Sequence, residues 1–275
     1  QGHDVAGFDL RSGGDLRDYE AIRSAVETFE PDRVFHLGAQ AYVPEGGTDP
    51  ARARRGNVDG TLNLLEAVHR TGCRARVHIA STSEVYGYAN QPGPIVTEDS
   101  PTLPTTIYGV SKLAAEQLAS VYGRDHGIPV IVTRAFNHTG PGHSSAYAIP
   151  AFAKRIVEVE QGRRDTVMHG SLDAVRNYLD VRDVVRAYQL AIEAEPGVYN
   201  VCSPSSWSLH DILGMLVKAS GRDIRTELDP TLARGGSGAF HRPSYARLNT
   251  TTGWQPEIDL EQTLADVLDD WRGRI

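Results

Sequence analysis

Apolar positions along this chain switch between two periods, and the switching predicts its elements. Short apolar runs at 3–9, 33–39, 76–82 and 129–136 read as buried strands. Between them, segments 18–29, 57–71 and 107–123 carry apolar residues at helical spacing. Strands and helices in strict alternation predict an α/β protein with a parallel, doubly wound, Rossmann-like sheet. Beyond residue 136 the alternation lapses. Helices are predicted at 149–161, 180–195, 209–220 and 260–271, with a strand at 198–201. Residues 222–248 show little periodicity and contain Gly235-Gly236-Ser237-Gly238. This pattern predicts a second, smaller α/β domain that interleaves with the first. The expected division is 1–141, joined by about 178–203, and 142–275.

Composition narrows the function by exclusion. The 275 residues allow one large or two small domains with a sizeable core. A net charge of −7 argues against a nucleic-acid or membrane-surface partner. No apolar run approaches the roughly 20 residues of a membrane span, and no signal peptide is recognised. Cys73 and Cys202 stand far apart and read as reduced structural thiols of a cytoplasmic protein. The ten histidines show no metal-ligand spacing, and His36, His78 and His169 read as strand or core residues.

Candidate chemistry begins at Tyr108-Gly109-Val110-Ser111-Lys112, which opens the helical segment 107–123. Four residues make about one helical turn, so phenol and ammonium share a face. A free phenol ionises near pH ~10 and is a poor base at neutrality, whereas an adjacent cation favours its phenolate. The bland reading is a surface Tyr and Lys on an amphipathic helix. The strand at 76–82 ends in Ser81-Thr82-Ser83-Glu84-Val85-Tyr86-Gly87. Ligands of open α/β sheets bind beyond the carboxyl ends of strands. Thr82 is therefore a candidate hydrogen-bond donor to a sugar or keto oxygen, and Glu84 a candidate general acid or base. Strand termination and turn capping are the alternative.

Together these two stretches resemble the extended short-chain dehydrogenase/reductase superfamily, in its NAD-dependent epimerase/dehydratase branch. Other motifs follow in the family's order: His36-Leu37-Gly38-Ala39-Gln40, Asn57-Val58-Asp59-Gly60-Thr61, Arg134-Ala135-Phe136-Asn137-His138, Arg176–Val184 and Thr252-Gly253-Trp254-Gln255-Pro256. The resemblance implies an NAD- or NADP-dependent enzyme with Thr82, Glu84, Tyr108 and Lys112 as its catalytic set. It implies a cofactor site built from Asp9, Asp15, Leu16, Gly38, Ala39, Gln40, Asn57, Tyr108, Lys112 and His138. Ser83, Asn137, Arg176 and Arg234 would meet a nucleotide-sugar substrate. Asp9, at the expected end of the 3–9 strand, favours NAD, since an acidic residue there accepts from ribose hydroxyls and repels a 2′-phosphate. Arg11 pulls the other way. Asp15 and Leu16 read equally well as the lead-in to the helix that follows. The family's glycine-rich G-x-x-G-x-x-G turn does not precede the 3–9 segment, and Gly13-Gly14 does not replace it. The expectation is a form lacking the first strand and helix. A dimer is expected through helices 57–71 and 107–123, which resemble the family's four-helix interface.

Within the branch, Phe136-Asn137-His138-Thr139-Gly140-Pro141-Gly142 and Arg182–Tyr188 resemble GDP-4-dehydro-6-deoxy-D-mannose reductases. Ser81-Thr82-Ser83-Glu84 resembles GDP-mannose 4,6-dehydratases as well. The expected activity is reduction of the C4 ketone of a GDP-4-dehydro-6-deoxy-hexose by NAD(P)H. The alternatives are a dehydratase or epimerase of nucleotide sugars, or a truncated paralogue that binds without turnover.

Overall fold

The computed structural model describes residues 2–40, 49–87, 95–232 and 242–275. In chain order the first elements are α1 (Tyr19–Phe29), β1 (Arg33–His36), α2 (Pro50–Ala53), a π-helical turn (Arg54–Asp59), α3 (Gly60–Arg70), β2 (Arg76–Thr82) and a 3₁₀ turn (Ser83–Tyr86). Then come β3 (Ile95–Val96), α4 (Ile107–His126), β4 (Val130–Ala135), β5 (Asn137–Thr139), α5 (Ala148–Glu160), β6 (Val167–His169), β7 (Val175–Asp180) and α6 (Val181–Ala191). The remainder is β8 (Gly197–Val201), β9 (Ser206–Ser208), α7 (Leu209–Ser220), β10 (Thr226–Leu228), β11 (Arg242–Pro243), α8 (Ala246–Thr252) and α9 (Leu260–Arg274). Side-chain caps fix several helix starts. Asp18 accepts from the Ala21 amide at α1, Thr106 from Gly109 at α4, and Asp259 from Gln262 at α9. Ser208 and Asp211 form a capping box at α7.

The chain packs as two units. One takes in 1–87, 100–134 and 188–199, the other 88–99, 135–187 and 200–275. The first unit carries most of a four-stranded sheet in the order β1-β2-β4-β8, with β1 and β2 parallel and Val34 opposite Val77. The pleat of β2 sorts its side chains. Val77 and Ile79 enter a core with Ile22 and Val26 of α1, Leu65 and Val68 of α3, and Ala119 of α4. His78 faces the opposite side and meets Tyr188 of α6, ring centroids 4.4 Å apart. Helices thus cover both faces, as a doubly wound sheet requires.

In the second unit β5-β7-β9 form a three-stranded sheet, and β6 with β10 and β11 with β3 form two parallel pairs. Its core joins Ile156 of α5, Leu216 of α7 and Leu264 of α9, all fully buried. Two sequence motifs meet here. The buried Asp183 carboxylate accepts the Glu257 and Ile258 amides, each at 2.9 Å, and pairs with Arg186 at 2.6 Å. The indole of Trp254 donates to the Asp183 carbonyl at 3.1 Å. The Arg176–Val184 and Thr252–Pro256 stretches are halves of one junction.

Several predicted elements require correction. Residues 3–9 form no strand, because no described strand lies beside them and an isolated extended segment has no ladder to join. Asp9 instead heads a turn in which its carbonyl accepts the Ser12 and Gly14 amides at 3.1 and 2.7 Å. The helix expected at 57–71 starts at Pro50 and passes through the π turn. Strand β7 was hidden within a motif of mixed polarity, and 222–248 contains β10 and the start of α8.

Candidate functional site

Thr82 ends β2 with extended backbone, and its hydroxyl accepts the Glu84 amide at 3.3 Å. The capping role is therefore realised, and it aims Thr82 beyond the strand's carboxyl end. Glu84 sits in the following turn, and its carboxylate accepts from Thr106 Oγ1 at 2.6 Å. That same hydroxyl oxygen accepts the Gly109 amide at 3.0 Å. One N-cap thus ties Glu84 to the helical turn that carries Tyr108. A Cβ on Gly109 would stand 2.8 Å from the Glu84 carbonyl oxygen, so α4 can start this close only with glycine there. Ser83 lies half-buried in the 3₁₀ turn.

Tyr108 is half-buried and Lys112 is buried on α4. Lys112 Nζ donates to the Ala80 carbonyl at 2.7 Å, which joins the helix to the strand end. Burial pulls the Lys112 ammonium down to about 8, and the Glu116 carboxylate one turn later opposes that fall. The cation survives at neutral pH in a dry place, where its field on a neighbouring phenol is weakly screened.

Of the cofactor residues expected in the first unit, Asn57 and Gln40 are tied to the same helix. Asn57, buried in the π turn, accepts the Gln40 amide on its Oδ1 at 2.6 Å and donates to Ser111 Oγ at 2.9 Å. Ser111 directly precedes Lys112. Leu16 packs where Gly38 and Gly60 leave room, since a Cβ on Gly38 would lie 2.5 Å from Leu16 Cδ1. Asn63 Nδ2 holds the Leu16 carbonyl at 2.9 Å. Asp15 pairs with Arg17, which holds its carboxyl down to about 2. The Asp9 carboxylate accepts its own turn amides, Arg11 at 2.7 Å and Ser12 at 3.1 Å. It is exposed and stands in a turn, so its expected place at a strand end is not realised. Ala39 is half-buried between Gly38 and Gln40. This set fits a dinucleotide. The side-chain-free Gly38 follows β1, hydroxyl and amide donors gather at the strand ends, and the buried cation lies beside Tyr108's turn.

In the second unit, Asn137 and His138 are exposed on β5, which pairs with β7 so that Asn137 faces Tyr178. The Phe136 carbonyl accepts from His138 Nδ1 at 3.0 Å, which fixes the proton on Nδ1 and leaves Nε2 as an acceptor. Arg176 lies on β7 opposite Trp207 of β9, and its guanidinium reaches the Val175 carbonyl at 2.9 Å. Arg234 lies outside the described residues. The larger described cavity, about 430 Å³, lies behind α4 against β4 and β8 rather than at Tyr108. No three described His, Cys, Asp or Glu side chains are placed to hold a metal ion.

Sequence reasoning passed over Thr106, Ser111, Glu116 and Arg134. Thr106 had a signal, a capping residue just before the helical run. Glu116 had another, its place one turn after Lys112. Arg134 stood at the head of a family motif, but its partner Glu116 shows only once β4 is set beside α4.

Comparison with known proteins bears on the family and the fold. A GDP-6-deoxy-D-mannose reductase of Pseudomonas aeruginosa is 38% identical over 248 residues, covering 89% of this chain and 82% of the reductase. A UDP-glucose 4-epimerase of Streptomyces lividans is 30% identical, over 94% of this chain and 80% of its own. Among solved structures, RMD from Pseudomonas aeruginosa complexed with NADPH superposes with a TM-score of 0.88 at 35% identity, covering 95% of this chain and 88% of that one. UDP-glucose 4-epimerase of Thermus thermophilus with NAD gives 0.82 at 31% identity, over 95% and 84%. The GDP-mannose 4,6 dehydratase family profile matches residues 7–267, and the chain belongs to that family.

Proposed function

We propose that this protein is a nucleotide-sugar oxidoreductase that reduces the C4 ketone of a GDP-4-dehydro-6-deoxy-hexose with NAD(P)H. One observation carries the reading: a buried Lys112 on α4 bonds the Ala80 carbonyl two residues before Thr82, and Thr106, two residues before Tyr108, bonds Glu84. The likeness to a GDP-6-deoxy-D-mannose reductase supports the substrate class, and the NADPH-bound neighbour supports the cofactor. A bound nicotinamide would supply the hydride. Tyr108 delivers the proton that turns the C4 oxygen into a hydroxyl. Thr82 donates a hydrogen bond to that oxygen and orients the ketone. Lys112 steadies the phenolate left on Tyr108 until it is reprotonated. Leu16, Gly38, Gln40 and Asn57, with Asp9, Asp15 and His138, are the residues that would hold the dinucleotide. Ser83, Asn137, Arg176 and Arg234 hold the sugar nucleotide, the arginines through its pyrophosphate.

We further take the protein to be a cytoplasmic homodimer. Leu62 on α3 and Val110 and Val121 on α4 are large apolar side chains exposed in one chain, which is what a helical interface between copies needs. Light scattering at micromolar concentration gives twice the chain mass if this holds. No described helix is long and apolar enough to cross a membrane.

The keto sugar nucleotide with NADPH or NADH, and GDP-mannose alone, test the activity. Stoichiometric oxidation of the reduced cofactor supports the reductase. Conversion of GDP-mannose to a 4-keto product without net cofactor use favours the dehydratase, with Glu84 removing the C5 proton. Tyr108→Phe is expected to lose at least about a hundredfold in kcat while still binding the sugar nucleotide; full activity would reject the assignment.

A further inference from the structure

Lys112 and Glu116 are four residues apart on α4, and both are buried. Glu116 accepts from Ser81 Oγ and from Arg134 of β4, whose Nη2 lies 2.7 Å away and whose Nε lies 3.1 Å from Oε1. Arg134 Nη1 reaches the Tyr86 hydroxyl at 3.0 Å, with the guanidinium 4.9 Å from the Tyr86 ring centre. Residues 80, 81 and 86 are therefore held from α4 and β4, by Lys112, Glu116 and Arg134 in turn. Between those anchors lie Thr82, Ser83 and Glu84. A dry ion pair is weak support for stability, because desolvation offsets most of its attraction and apolar side chains of like volume serve as well. Its worth here lies in what it holds in place.

We propose that Glu116, paired with Arg134, is a positioning residue of the reductase site, fixing the Ser81–Tyr86 segment and supplying the buried negative charge one helical turn from Lys112. The proposal rests on the reading that Thr82, Tyr108 and Lys112 perform the chemistry. Charged and titratable groups face Lys112 from several elements. Glu116 and Tyr108 share its helix, and His36 on β1 and His78 on β2 lie near enough to feel its charge. Burial holds both imidazoles neutral, down to about 3. Glu84 lies in the turn after β2, and Arg134 on β4 is spent on Glu116. Of these, Glu116 holds up the Lys112 proton affinity against burial.

Glu116→Gln keeps the shape and an acceptor but removes the charge. Its kcat for keto-sugar reduction should fall about tenfold, with KM within about threefold, as expected for misplaced groups rather than lost binding. The alkaline limb of the rate profile should move acidward by about one pH unit, because Lys112 loses its counter-charge. Glu116→Asp, which retains the charge, should restore the limb. A Glu116→Gln enzyme with a lower melting temperature but wild-type kcat and alkaline limb overturns the proposal. Where Glu116→Gln does not fold, Ser81→Ala decides. It cuts the strand-end bond without stranding a charge, so kcat should drop several-fold with the limb unmoved, and an unchanged kcat overturns the idea. Tyr108→Phe separates the two levels. Its retained activity would sink the catalytic reading itself, whereas an inactive Tyr108→Phe beside a wild-type-like Glu116→Gln sinks only the positioning role.

Discussion

Gly38→Ala tests the packing beneath the cofactor side of the site. Gly38 follows β1, and its φ is not positive, so alanine meets no backbone strain there. In the unfolded chain, alanine has fewer conformations to lose, which alone would stabilise by about 0.4–1 kcal/mol. Against this, the new Cβ would sit 2.5 Å from Leu16 Cδ1, about 1 Å inside ordinary contact. Leu16 is restrained at its backbone, because Asn63 holds its carbonyl, and α3 packs close enough to it that a Cβ on Gly60 would stand 2.9 Å from Leu16 Cβ. Overpacking of this kind costs about 1–3 kcal/mol, so Gly38→Ala should destabilise by about 1–2 kcal/mol net. In a Leu16→Ala background the clashing atom is gone, and the same substitution should become neutral or stabilising. Denaturant unfolding of the four proteins in this cycle gives the coupling, expected near 2 kcal/mol. NADPH titration should show weaker binding for Gly38→Ala alone. A coupling below about 0.5 kcal/mol would refute the argument, because Leu16 would then not be packed on Gly38.

Further outcomes follow from buried charges. Lys112 has its pKa lowered by burial from 10.5 to about 8. Below pH 8 the folded state carries the buried cation at a cost of about 3 kcal/mol, and between 8 and 10.5 the unfolded chain binds more protons, so stability rises with pH there. Lys112→Met should therefore be more stable than wild type at pH 7, nearly equal above pH 10.5, and inactive throughout; urea unfolding at the two pH values checks the first part. Asp183→Asn leaves an amide group facing the donors that Asp183 accepts from Glu257, Ile258 and Arg186. It should destabilise by about 3 kcal/mol and lower the melting temperature by roughly 6–10 °C, while Arg186→Ala, which leaves the two amide bonds intact, should cost less.

Much of this site was legible in one dimension because its chemistry is local. Tyr108 and Lys112 are a helical turn apart, and Thr82 and Glu84 directly follow an apolar run, so spacing made them candidates and the family resemblance gave them roles. The helices 209–220 and 260–271 were equally plain, since amphipathic period and caps agree over their length. What stayed hidden depends on neighbours distant in sequence. The 3–9 segment has the apolar run of a buried strand, but a strand is a pairing, and no described strand pairs with it. Strand β7 carries Arg176, Asn177 and Asp180 because their polar groups find partners in loops and in α9, such as Ser203 for Asn177 and Thr263 for Asp180. The junction at Asp183 could be read as two motifs but not as one contact. Glu116 gains its meaning only from β4, which sets Arg134 against it.

The π turn at Arg54–Asp59 inserts a wider backbone ring just before α3, a form of turn that recurs at functional sites. Asn57 sits within it and links Gln40 to Ser111. Asn57 thus makes the residue run after β1 and the Ser111–Lys112 turn of α4 depend on a single side chain, so a change in this turn is felt on both at once.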